Sequence, residues 1–335
     1  MPKKKTACVL RWGAFGDHLV TSCLYPVLKE DGYTITCDIK KMGMQVLKLN
    51  PHISKIHVQP EGIVFKDQAE LDEYWMNAGK GFDKYLNMSG TLEGGLLPSE
   101  NMPEFHLSKE ERNEKFNRNY YDYALEVAGY PEIKGRRGEL YWSPMELHYA
   151  REFRKKHLGQ FLILWSLSGS SYHKAYPWAE YVAKEFLNRH EDAFILQTGD
   201  GFAVMIGWEH PRSKCYAGLW DVREGACMTQ FADLVISTET SIAHASGIYP
   251  TPKIIIHSHS TPEKLTKYFD NCIDLSAGVH CQPCHQLIHK REYCPIDPVT
   301  QAPICMAYLK PERVLEAMET VYGEWQSSRK YRRAA

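Results

Sequence analysis

The sequence predicts an α/β protein of two domains, each built on a doubly wound parallel sheet, with a small four-cysteine metal knot near the C-terminus. Three observations predict it. Short apolar runs alternate with helix-period stretches twice along the chain, in residues 7–88 and again in residues 161–257. At 335 residues the chain is too long for one ordinary core and about right for two. Four of the ten cysteines crowd between Cys281 and Cys305.

The first alternation opens with an apolar run at residues 7–11, a Gly-containing turn at residues 12–16, and apolar residues at Leu19, Val20, Cys23, Leu24 and Val27, a helical period. Residues 33–39 and 53–58 read as strands, residues 42–49 and 69–78 as helices, and residues 82–88 as a further strand. Residues 104–129 are long, polar and helical, and a helix is expected over 145–157. The junction falls within residues 143–160, which gives domains of 1–155 and 156–335. The second alternation runs from a strand at 161–165 through a small-residue turn at 166–171 and a helix at 178–188 to a strand at 193–198. Strands follow at 234–237 and 253–257, and a closing helix starts at Pro311, with proline in its first turn.

Bulk composition excludes several functions. With 44% hydrophobic and 24% charged residues the chain is an ordinary globular protein, and a net charge of −1 supplies no global field toward nucleic acid or acidic membrane. The basic ends, such as Lys4 and Lys5 at the start and Arg332 and Arg333 at the finish, read as solvated tails or as phosphate or membrane-surface contacts. No run approaches the roughly 18 apolar residues that span a bilayer. Arg11 interrupts the first apolar stretch, so that stretch is a strand and not a signal peptide, and a cytoplasmic location is expected.

Without an export signal, a cysteine cluster argues for metal before disulfides. Cys281 and Cys284 form a CxxC pair, and Cys294 and Cys305 complete an all-thiolate tetrahedral set. Four sulfurs leave no open coordination position, so the ion is expected to be structural, zinc by default or iron as the alternative. The other reading is four unconnected thiols. His280, His285 and His289 stand nearby, but four cysteines suffice.

Three further segments carry candidate chemistry. Asp17 follows Gly16 at the start of the first helix, where it suits a general base for a hydroxyl and equally a plain helix cap. The turn Ser168-Gly-Ser-Ser171 precedes a helix and has Lys174 in reach, offering hydroxyls, backbone N–H groups and one cation to a phosphate. It lacks the spacing of a Walker motif. Thr238-Glu-Thr-Ser-Ile-Ala-His244 follows a buried strand, at the kind of strand end where α/β proteins bind ligands. Glu239, Thr240, Ser241 and His244 there would bind a sugar, or form a cap and a buried helix histidine.

Together these segments resemble glycosyltransferase family 9, the heptosyltransferase family. Arg11-Trp-Gly-Ala-Phe-Gly-Asp17 looks like the family's opening loop, Lys174-Ala-Tyr-Pro177 is similar to its Lys-x-Trp-Pro motif, and residues 232–244 look like its donor-sugar motif. Cys281-Gln-Pro-Cys284, Cys294-Pro295 and Cys305-Met306 echo a cysteine pattern of many members. The resemblance implies a GT-B fold of two Rossmann-like domains facing a cleft, the first binding the acceptor and the second the nucleotide-sugar. It implies an inverting, metal-independent transfer. Asp17 would be the base, Lys174 with Ser170 and Ser171 would neutralise the leaving diphosphate, and Glu239, Thr240, Ser241 and His244 would hold the donor. ADP-heptose is the donor the family points to. The acceptor, unread because residues 58–140 match poorly, would be lipopolysaccharide core, protein or modified DNA.

Two residues depart from the pattern. Glu239 replaces an aspartate and Ser241 a glycine, crowding the sugar pocket. They leave a second expectation open, a catalytically idle, metal-knotted sugar- or nucleotide-binding protein on the same scaffold.

Overall fold

A computed structural model describes residues 4–91, 96, 103–287 and 294–334. The chain divides into two compact units, residues 1–94 with 119–143 and residues 95–118 with 144–335.

The first unit is a four-stranded parallel sheet of β1 (Lys5–Arg11), β2 (Tyr33–Ile39), β3 (Ile53–Val58) and β4 (Lys84–Asn87), in the order β3-β2-β1-β4. β1 is central and its apolar residues Ala7 to Leu10 are fully buried, as expected for a parallel strand covered on both faces. The order reverses between β1 and β4, so the loops leaving these strands flank a switch point, the position where open α/β sheets bind ligands. The loop after β1 leads into the helix Phe15–Thr21, which carries Asp17.

The second unit is a six-stranded, all-parallel sheet. Its strands are β5 (Phe161–Ser166), β6 (Ala193–Thr198), β7 (Ser213–Cys215), β8 (Leu234–Thr238), β9 (Lys253–Ile256) and β10 (Cys272–Leu275), in the order β10-β9-β8-β5-β6-β7. The switch point lies between β5 and β8, whose following loops are the serine turn and the Glu239 segment. Phe161, Ile163 and Trp165 of β5 pack with Val182 and Phe186 of the helix Ala179–Arg189 and Met318 and Tyr322 of the last helix.

The two βα halves are those expected, with three differences. β7 and β10 are edge strands of three and four residues, with only Leu275 of the seven buried, so they carry no apolar run to read. The stretch 104–129 is not one helix. It breaks at Asn117–Asn119, where the Asn119 side chain accepts from the N–H groups of Tyr121 and Asp122 and starts a new helix, Tyr120–Val127. The unit boundary also differs from a single cut at 155/156. The helix Pro144–Lys156 belongs to the second unit, where Glu146 pairs with the buried Arg223 and Arg154 with Asp233 at 2.8 Å. Residues 95–118 belong there too. Lys109 donates to the His280 carbonyl at 2.7 Å, Thr261 bonds Asn117, and His285 stands 3.2 Å from Asn113.

Among the described residues no helix is long and apolar enough to cross a membrane.

Candidate functional site

In the first unit the loop after β1 is organised around Arg11, whose side chain is fully buried. Its guanidinium donates to the carbonyls of Met88 at 2.8 Å and Trp12 at 3.1 Å and lies 3.2 Å from the Asp17 carboxylate. The other Asp17 oxygen accepts from the Ala14 N–H at 2.7 Å. Asp17 thus caps its helix and is also held by a buried cation. Its side chain remains 30% exposed, so the carboxylate still reaches solvent. Gly13 leaves the room for this: a Cβ there would stand 2.7 Å from an Asp17 carboxylate oxygen.

In the second unit the loops after β5 and β8 are tied together. Thr238 donates to the Lys174 carbonyl at 2.9 Å. Gly169 lies between the Lys174 stem and Thr240, and a Cβ there would stand 2.8 Å from Lys174 Cδ and 2.9 Å from Thr240 Cγ2. Ser170 is exposed; Ser171 is buried and its hydroxyl has no hydrogen-bond partner. Lys174 is buried at 7% exposure. Thr240 caps the helix Ser241–Ser246 by accepting from the Ile242 N–H and bonds Ser237 at 2.9 Å. His244 is buried within electrostatic reach of Lys174; burial first, and that cation second, pull its pKa down to about 3, so it is a neutral imidazole at physiological pH.

Glu239 does something the sequence does not suggest. Its carboxylate is buried and wrapped by the strap 258–260. One oxygen accepts from the N–H of Ser260 at 2.8 Å, the Ser260 hydroxyl at 2.7 Å and the N–H of His259 at 3.2 Å. The other accepts from the N–H of Ser258 at 3.0 Å, the Ser258 hydroxyl, and Nδ1 of His259 at 3.0 Å. Six donors exceed the roughly four lone-pair sites of a carboxylate. Burial alone would raise the carboxyl; His259, His257 and the Ser258 hydroxyl overturn that and hold it well below the usual carboxylate range. In this geometry Glu239 fixes the strap, and it has no lone pair to offer a sugar hydroxyl. The extra methylene relative to aspartate gives the reach.

The strap brings in residues that the sequence reading passed over. His259 Nδ1 also stands 3.3 Å from His173 Nε2, and its own Nε2 is buried without a partner. Burial lowers the His259 pKa, against the pull of Glu239. Lys264, 2% exposed, lies on the segment that follows, within reach of Glu239 and Cys284. The alternation His257-Ser-His-Ser260 directly after a strand was a visible signal; Lys264 had none.

The four cysteines of the expected knot are all free thiols, Cys305 buried and the others half-buried. The fold brings them close enough to act on one another electrostatically: Cys305 senses Cys294, Cys284 and Cys281, and Cys284 senses Cys281 and Cys294. Burial pushes Cys284 up to about 12 and Cys294 to about 11, so four adjacent buried thiols shed their protons only to a metal ion. The donor set therefore fits a thiophilic ion. Ligating geometry is not formed: among the described residues no three His, Cys, Asp or Glu side chains are arranged to hold a metal. His289, with the rest of residues 288–293, lies outside the described residues.

No family model matches the sequence, and no curated protein matches it. Solved structures do. The glycosyltransferase family 9 structure from Veillonella parvula DSM 2008 is 16% identical with a TM-score of 0.69, covering 97% of this chain and 99% of that one. The ADP-heptose LPS heptosyltransferase II of E. coli is 12% identical with a TM-score of 0.64, covering 96% and 99%. The dodecameric, iron-containing heptosyltransferase TibC, solved with ADP-D-β-D-heptose and known from enterotoxigenic E. coli H10407, is 12% identical with a TM-score of 0.60, covering 97% of this chain and 79% of that one. The chain has the fold of these glycosyltransferases, two parallel-sheet α/β units of the GT-B type.

Proposed function

We propose that the protein is a nucleotide-sugar-dependent glycosyltransferase acting by inversion. The observation that carries the proposal is the position of Lys174, Ser171 and Thr240 at the β5/β8 switch point of the second sheet, joined by the bond from Thr238 to the Lys174 carbonyl. The fold shared with the heptosyltransferase structures supports it.

In this reading the second unit holds a nucleoside diphosphate sugar through Ser170, Ser171, Thr240, Ser241 and His244. Asp17, held by Arg11, takes the proton from the acceptor hydroxyl, and the acceptor oxygen forms its bond to the anomeric carbon. The bond from that carbon to the diphosphate breaks, and the nucleoside diphosphate leaves with the electron pair. Lys174 neutralises the departing charge, the work that a divalent ion does in other transferases. ADP-heptose is the donor to test first, because the TibC structure holds it. Glu239 acts on the donor through the strap and not by direct contact. Cys281, Cys284, Cys294 and Cys305 would hold one zinc or iron ion, which supplies a structural crosslink and takes no part in transfer.

A second reading, a catalytically idle binding protein, is favoured by the saturated Glu239 carboxylate. Thermal shift with ADP, UDP and GDP sugars on wild type and Lys174→Ala tests ligand binding, and turnover with the stabilising donor separates the two readings. Stabilisation by one nucleotide class that disappears in Lys174→Ala is the expected result. No stabilisation by any of them would overturn both.

A further inference from the structure

The strap 258–260 and His257 before it are buried and run straight on from β9. Backbone groups at such depth need partners, and here they come from two sides. The N–H groups of Ser258 and Ser260 donate to Glu239, the residue before Thr240 in the loop after β8. The carbonyls of the same two peptide units go to the turn that carries Cys281 and Cys284. Gln282 Nε2 donates to the His257 carbonyl at 2.6 Å, and the His285 N–H donates to the His259 carbonyl at 2.8 Å. Both peptides are trans, so N–H and C=O point opposite ways, and Glu239 and the cysteine turn grip the strap from opposite sides. Gln282 is itself held: its Oε1 accepts from the Gly278 N–H at 3.0 Å, and its own N–H donates to the Val279 carbonyl at 2.9 Å. The strap also meets the loop after β5, where His259 Nδ1 stands 3.3 Å from Nε2 of His173, the neighbour of Lys174. One short segment thus joins the loops after β5 and β8 to the cysteine turn.

We infer that Gln282 is a positioning residue of the donor site, acting through the His257 carbonyl on the strap that Glu239 holds from the other side. The inference rests on the transferase reading above and adds to it a residue that touches neither donor nor acceptor. A peptide plane bonded at both ends cannot rock. Release its carbonyl, and the N–H that Glu239 accepts loses its fixed direction, one residue from Thr240. The two bonds also reinforce each other, because a carbonyl that accepts polarises the N–H of its own peptide. Gln282 makes these contacts with the four thiols free, so its role does not wait on an ion.

The experiment is isothermal titration of full-length wild type, Gln282→Glu, Glu239→Gln and the double variant with ADP, UDP and GDP. The proteins are matched for metal content and shown by melting to be folded. Gln282→Glu keeps the shape of the side chain and its bond from Gly278 while losing the donation to His257. It is expected to weaken nucleotide binding about three- to tenfold, the size of one lost hydrogen bond. The double variant is expected to lose less than the product of the two single losses, because both substitutions act on the same peptide units. Undiminished affinity in a folded Gln282→Glu, or losses that multiply, overturns the inference alone. Absence of nucleotide binding by wild type overturns the transferase reading with it. Hydrogen exchange on wild type decides the matter without any substitution. If the strap transmits position, a bound nucleotide must slow exchange across residues 278–285, since coupling between two sites is reciprocal. Exchange there that ignores a bound nucleotide overturns the inference.

Discussion

The guanidinium of Arg11 lies 3.2 Å from the carboxylate of Asp17, with the arginine fully buried and the aspartate partly open to solvent. A buried cation anchored on the Met88 and Trp12 carbonyls cannot follow the carboxylate if it swings away, so it fixes where the Asp17 carboxylate points. Asp17→Asn is therefore expected to lower kcat by about 10²–10⁴ while leaving donor affinity unchanged. Unaltered turnover would remove Asp17 from the chemistry. Arg11→Met should lower turnover as well and also destabilise the fold, by about 1–3 kcal/mol, through the loss of charge-assisted bonds to the Met88 and Trp12 carbonyls.

Gly13→Ala and Gly169→Ala separate the two halves of the reaction. The first puts a methyl 2.7 Å from an Asp17 oxygen and should reduce kcat with the donor dissociation constant unchanged. The second puts one 2.8 Å from Lys174 Cδ and should weaken nucleotide binding about tenfold. Titration calorimetry beside steady-state kinetics checks both, and identical effects of the two substitutions would contradict the assignment of base and donor to different sheets.

Two buried histidines set an acid limit. Burial, followed by Arg11 for His18 and Lys174 for His244, lowers each from 6.5 to about 3. Between those values the unfolded chain binds more protons than the folded one, so unfolding free energy falls as pH falls, at up to about 1.4 kcal/mol per pH unit for each histidine. Glu239 adds to this at lower pH: its depressed carboxyl contributes stability above the ordinary carboxylate range that is lost as pH drops through the folded value. Denaturant unfolding from pH 7 to pH 4 should show the decline, and His244→Gln should make it shallower. An unchanged slope in that variant would mean that His244 is already protonated in the fold.

Elemental analysis of the purified protein should return about one zinc or iron per chain. Cys294→Ser should lose the ion and lower the melting temperature while leaving Asp17 and Lys174 chemistry in place, visible as residual transfer below the melting point. Recovery of neither metal from wild type would refute the knot.

Much of this was legible before any coordinates. Buried strands such as β1 and β5 announce themselves because both faces are covered and every residue is apolar, and strand–helix alternation then gives the parallel sheets. Asp17, Lys174 and Thr240 could be picked out as candidates because each follows a readable strand. His259 could not, because its place is set by Glu239 holding the strap, a contact between residues twenty positions apart with no spacing rule. Glu239 itself was read as a sugar ligand since sequence shows a carboxylate at a strand end and not the six donors that surround it. β7 and β10 escaped because three- and four-residue edge strands need no apolar run.

The excursion of residues 95–118 into the second unit means that the backbone passes between the units three times, after residues 94, 118 and 143. No single scission can yield two intact folding units. A fragment beginning at residue 156 would lack Asn113 and Asn117, the partners of His285 and Thr261, along with the helix that holds Arg223 through Glu146. Chimeras that exchange the first unit with that of a structural neighbour would have to transplant residues 1–94 and 119–143 together, leaving the intervening stretch native.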